Sequence, residues 1–147
     1  IPLRRFMKKF FELSMIVCLT VALTTSGLAE ETPEASEQTR RVAAKQKLQA
    51  QPDVALLYVK GLCCASCAIG IRKKVAKLDF VDKKQFKKGV ELDAKTQLVT
   101  IGLRKGKTVD NKALAKAIED AGYDPVHLYA LTGDAVTTKP FAAKGYK

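Results

Sequence analysis

The sequence predicts an α+β fold, with four short strands in one antiparallel sheet and two helices on one face of it, in the order β-α-β-β-α-β. Three observations point there. The alternating run VALLYVK gives way beyond residue 61 to a helical apolar stripe; two more short alternating runs come next across a turn; a second helical stripe then ends at a glycine before a last alternating run. The 147 residues, 47% of them hydrophobic, suffice for one modest core with appendages.

In VALLYVK, Ala55, Leu57 and Val59 share one face of a strand. Ala68, Ile71, Val75 and Leu78 then recur at helical spacing, which leaves Arg72, Lys73, Lys74 and Lys77 for water. In KKQFKKGVELDAKTQLVTIGLR, Val90 and Leu92 lie on one strand face and Val99, Ile101 and Leu103 on another, with a turn expected over 93–96. The segment TVDNKALAKAIEDAGY places Asp110 as the N-cap of the second helix, Leu114, Ala117, Ile118 and Ala121 as its stripe, and Gly122 as its stop. PVHLYAL reads as a short final strand. Residues 53–131 are therefore expected to form a ferredoxin-like βαββαβ sandwich.

The flanks read differently. Residues 30–52 are expected to be a polar linker, because Val42 and Leu48 alone leave too thin a stripe for more than a solvated or frayed helix. Residues 132–147 are expected to be a flexible basic tail. Residues 1–29 have the pattern of a signal peptide: a start at Met7, then Lys8 and Lys9, an apolar run from Ser14 to Leu23, and the small residues Gly27 and Ala29 before a cut at Glu30. The run is shorter than the ~20 residues that span a bilayer, so a periplasmic or otherwise exported protein is expected, with an uncleaved membrane anchor as the alternative. Cys18 follows Val17, where lipid attachment would want a small residue, and reads as an ordinary member of the run. Met7 and Met15 are the only methionines, so the processed chain holds no thioether. The net charge of +11 is spread along the chain without a block of like charges, which reads as solvated surface rather than a nucleic-acid footprint.

The chemistry concentrates in GLCCASC, residues 61–67. Cys64 and Cys67 form a C-x-x-C pair where the first strand yields to the first helix. Unpaired N–H groups and the helix dipole there favour negative charge, so Cys67 is expected to ionise more easily than a free cysteine. Two thiolates suit the soft ions Cu(I) and Hg(II). A closed structural zinc site usually asks for four protein ligands, and with no second C-x-x-C and only the isolated His127 in reserve, zinc is the weaker candidate. An exposed site of few ligands loads and unloads readily, which suggests transport, and no group looks arranged for acid or base chemistry.

VKGLCCASC, with Ile71 four residues beyond the second motif cysteine and a later AIEDAGYDP, resembles the heavy-metal-associated domain family, which includes copper chaperones, modules of metal-pumping ATPases and periplasmic mercury-binding proteins. The resemblance covers residues 53–131 and implies Cys64 and Cys67 as metal ligands. It further implies a metallochaperone that hands its ion to a metal transporter or another thiol-bearing, membrane-associated acceptor, and acts as a monomer. Leu62 stands where the family has a packing methionine. Cys63 occupies the variable position, where it either adds a third sulfur or serves as a small side chain; vicinal side chains generally point apart, which favours the second. Phe80 and Val81 stand in place of Gly-Val, and the longer stretch to Val90 predicts a bulge or irregular second strand. Tyr123 matches a tyrosine that lies beside the metal loop in bacterial relatives; closing the helix as a core aromatic is the other reading. His127 is expected to be a strand side chain rather than a ligand.

Two rival functions share these features. A thiol redox protein also carries C-x-x-C at a helix start, but no aromatic precedes the pair and too little chain remains for a thioredoxin-like sheet. An RNA-recognition module shares the topology, but its sheet aromatics have no counterpart in QLVTIGL. No nucleic-acid partner is expected.

Overall fold

A computed structural model describes residues 34–141. The expected signal peptide with Cys18, the start of the expected linker and the end of the expected tail lie outside the described residues.

Alternation and helical stripes produce the elements foreseen for the core. Strand β1 (Val54–Lys60) is central; helix α2 (Cys67–Val75) comes after it, then the hairpin of β2 (Val90–Asp93) and β3 (Leu98–Gly102), helix α3 (Asn111–Glu119) and strand β4 (Asp124–Thr132). Asp110 caps α3 by accepting from the amides of Lys112 and Ala113, both at 3.0 Å. Gly122, at φ +91°, turns the chain out of α3, and the Tyr123 amide bonds back to the Ile118 carbonyl. At the hairpin, Asp93 accepts from the Lys95 amide and the Thr96 hydroxyl, and Gln97 takes φ +57°.

The sheet is antiparallel with strand order β2-β3-β1-β4-β5, where β5 is Ala135–Pro140. Ala55, Leu57 and Val59 face α2 and α3, burying Ile71, Val75, Leu114 and Ile118 together with Val90, Val99 and Ile101. Both expected helices thus cover one face. Arg72, expected in water, instead donates from Nε to the Val90 carbonyl at 3.0 Å and ties α2 to β2.

Among the described residues, the expected four-stranded sheet with two helices is corrected to five strands and three helices. The fifth strand, β5 (Ala135–Pro140), lies where a flexible tail was expected, paired with β4 from Thr132–Ala135 to His127–Pro140. Gly133 at φ +62° makes the turn, and the β-branched run after it suits an edge strand. In the expected linker, residues 37–50 form helix α1 (Glu37–Ala50), capped by Ser36, whose hydroxyl accepts from the Thr39 amide. This helix covers the second face of the sheet. Its buried stripe is Arg40 and Ala44, with Ala43 and Leu48 alongside, against Leu56, Tyr58, Leu98 and Tyr129. Counting Val42 as the stripe misled the expectation, because Val42 is half-exposed and points away. The contact is built from alanines, which let the helix approach closely, and from an arginine. The Arg40 guanidinium lies 3.9 Å from the centre of the Tyr58 ring, and donates to the Ala35 carbonyl and, at 3.2 Å, to Gln97 Oε1.

The irregular second strand is present as expected. Val81 bridges Leu103, the chain leaves the sheet over 82–89, and Val90 resumes opposite Ile101. Gly102 spans the gap, accepting from the Asp82 amide at 2.8 Å and donating to the Gly89 carbonyl at 2.9 Å. Gly89 (φ +82°) is required there, since a Cβ would lie 2.4 Å from Val81 Cγ1 and 2.9 Å from the Asp82 carbonyl oxygen. Phe80 is buried in the core and anchors the start of the excursion.

Candidate metal centre

Strand β1 ends at Lys60, and Gly61 at φ +88° swings the chain over the end of the sheet. Leu62 turns inward and is buried in the core, the packing role expected for it. Cys63 and Cys64 come next in the exposed loop, and Cys67 opens α2 as its first residue, buried at 8% exposure. Three amides at the start of α2 bond to the loop, Cys67 to the Cys64 carbonyl at 3.2 Å, Ala68 to Ala65 and Ile69 to Ser66. These bonds fix the C-x-x-C turn.

All three thiols are free. Their sulfurs form a small triangle: Cys64 to Cys67 is 3.5 Å, and Cys63 is 3.8 Å from each. Among the described residues this is the only group of three or more His, Cys, Asp or Glu side chains close enough to hold a metal ion. Cys63, which adjacency would turn away, therefore points to the same spot as the pair.

Neighbouring groups tune the thiols. The Tyr123 hydroxyl hydrogen-bonds the Cys67 sulfur and pulls its pKa down to about 6, assisted against burial by the backbone N–H groups of Cys63 and Cys64. The same bond pushes the Tyr123 phenol up to about 12. Easier ionisation of Cys67 was expected from the helix start; the larger cause is this hydroxyl, arriving from the loop after α3. The Ser66 hydroxyl, 2.8 Å from the Cys64 sulfur, is the main reason that Cys64 is also lowered. Cys63 is raised, chiefly by its hydrogen bond with Cys67.

Tyr123 thus stands beside the cysteine loop, its ring close enough to Gly61 that an added Cβ would meet Cδ1 at 3.7 Å. His127 does not join the cluster. It sits on β4 under α1, with its ring 5.6 Å from that of Tyr58 and 4.6 Å from that of Tyr129, and burial holds its pKa below the usual value. A groove of ≈ 450 Å³ leads from Cys64 past Ala65, Ala68 and Arg72 to β2, with Lys47, Glu91, Asp93 and Lys95 on its rim. Ile69, 69% exposed, adds an apolar side chain on the same helix.

Three cysteine sulfurs converging at the edge of such a sheet are a donor set of the kind that suits soft metal ions. The model of the heavy-metal-associated domain family matches residues 56–124, the stretch that holds β1, the cysteine loop, α2, β2, β3 and α3. Heavy-metal binding is the activity that goes with that domain family. No curated protein matches the chain.

Proposed function

We propose that the protein carries a soft heavy-metal ion, Cu(I) or Hg(II), on Cys64 and Cys67 and hands it to another thiol-bearing protein by ligand exchange. The observation that carries this is the convergence of the two sulfurs at the start of α2, with Tyr123 holding Cys67 near its thiolate form. A thiolate that is already ionised binds without first losing a proton. Each remaining thiol releases its proton to water as its metal–sulfur bond forms.

Their unequal burial supports different parts for the pair. Cys67 is the anchor, held in the core edge by α2 and Tyr123, while Cys64 is exposed at the head of the groove. An incoming thiolate adds to the ion from the Cys64 side, Cys64 leaves and takes up a proton, and Cys67 is released as the acceptor's second sulfur arrives. Exposed Ile69 and the mixed charges of the groove offer the acceptor a surface without a dedicated charge code. A membrane-associated metal transporter in the compartment to which residues 1–29 would direct the chain is the partner we favour. The monomeric chain suffices, since both ligands come from one loop.

The 3.5 Å between Cys64 and Cys67 also favours a second reading, a thiol redox protein that closes this pair to a disulfide. Titrating the reduced protein with Cu(I) or Hg(II), alongside an assay of disulfide reduction, separates the two. One ion per chain without reductase activity is expected; reductase activity with no bound metal overturns the carrier.

A further inference from the structure

A carrier with two ligands leaves one of the three sulfurs without a part. Resting on that carrier function, we propose that Cys63 is a full third ligand, so that the site is a trithiolate shell for soft ions that accept three sulfurs, rather than a linear pair with a bystander.

The sulfur spacing is the first reason. A two-coordinate ion in linear geometry separates its sulfurs by twice the bond length, about 4.6 Å for a metal–thiolate bond of about 2.3 Å. Cys64 and Cys67 are 3.5 Å apart, well inside that span. Three sulfurs around an ion in their own plane would be about 4.0 Å apart at the same bond length. The edges here are 3.5, 3.8 and 3.8 Å. A point equidistant from all three sulfurs lies about 2.1 Å from each, so an ion slightly above their plane makes three ordinary bonds of about 2.3 Å with little movement. The linear pair would have to spread by about 1 Å on the same bond length.

The backbone explains why vicinal cysteines converge. The turn at Gly61 and the burial of Leu62 set the loop so that Cys63 is exposed over the end of the sheet, facing the first turn of α2. A residue lacking sulfur at 63 would leave that corner of the triangle to water or to an outside thiol. Cys63 therefore decides coordination number and, with it, how firmly the ion resists stripping by small thiols.

The test is X-ray absorption at the mercury edge on the reduced full chain loaded with one equivalent of Hg(II), compared with Cys63→Ser and Cys63→Ala. Wild type is expected to show three sulfurs at a longer bond, and both variants two sulfurs at a shorter bond. Both variants should also lose their ion at a lower concentration of a competing monothiol. Two sulfurs at one common distance in all three proteins would overturn the proposal while leaving the carrier reading standing. Failure of the wild type to hold Hg(II) at all would overturn both.

Discussion

Tyr123 and Cys67 are the residues on which the chemistry turns, because the hydrogen bond between them is the largest cause that lowers the pKa of the anchor thiol. We predict that monitoring thiolate absorbance in the reduced, metal-free protein will show one thiol titrating near pH 6, and that Tyr123→Phe will move it up toward the usual 9.0. An unchanged midpoint in the variant would remove Tyr123 from the site. Because the folded-state pKa is depressed, the linked stability is fully present above the unfolded value and is lost as pH falls through about 6. Reduced wild type should therefore gain stability between pH 6 and 9 relative to Tyr123→Phe, read as a divergence of denaturation midpoints. At this scale much was legible. The spacing of Cys64 and Cys67 and the place of Tyr123 after a helix stop are written in the chain. The direction of Cys63 was not, since it depends on the turn at Gly61 and on where Leu62 is buried, neither of which adjacency reveals.

Among the elements, α1 touches both β5 and the turn that leads into it. Lys45 meets Asp134 of the β4–β5 turn at 2.9 Å, and Arg41 donates to the Val136 carbonyl of β5 at 3.4 Å. Such exposed contacts add little alone, and Arg40 on the Tyr58 ring does more to hold the helix. Arg40→Ala is expected to cost about 2 kcal/mol, from a desolvated cation–π contact and charged hydrogen bonds, read as a lowered urea midpoint. A change within about 0.5 kcal/mol, the usual range for surface substitutions, would mean that α1 is held by something else. Gly89→Ala is expected to destabilise by at least about 1 kcal/mol, since positive φ and a close contact with Val81 both oppose a Cβ. A neutral outcome would deny that the excursion over 82–89 is packed as described. A signal for the second layer did exist: VALLYVK is apolar at Leu56 and Tyr58 as well as at Ala55, Leu57 and Val59, the mark of a strand covered on both faces. It was masked because the covering helix presents arginine and alanine where leucine was looked for. The fifth strand was hidden similarly, its residues being exposed and polar enough to pass for a tail.

As a whole the described chain is a sheet with α2 and α3 on one face and α1 on the other. The cysteine loop belongs to the first of these layers, held between the start of α2 and the residue just past the stop of α3. Cys67 is placed by the core, and the amide bonds of the turn hold Cys64 beside it, so that an ion meets sulfurs already converged and little ordering cost is added to binding. The central claim is that Cys64 and Cys67 hold one soft ion per chain. It is tested most directly by counting the Cu(I) retained by the reduced full chain after removal of free metal, beside the Cys64→Ser/Cys67→Ser double variant. One equivalent on the wild type and almost none on the variant is the predicted result; equal retention by the two proteins, with the variant folded, would contradict the account.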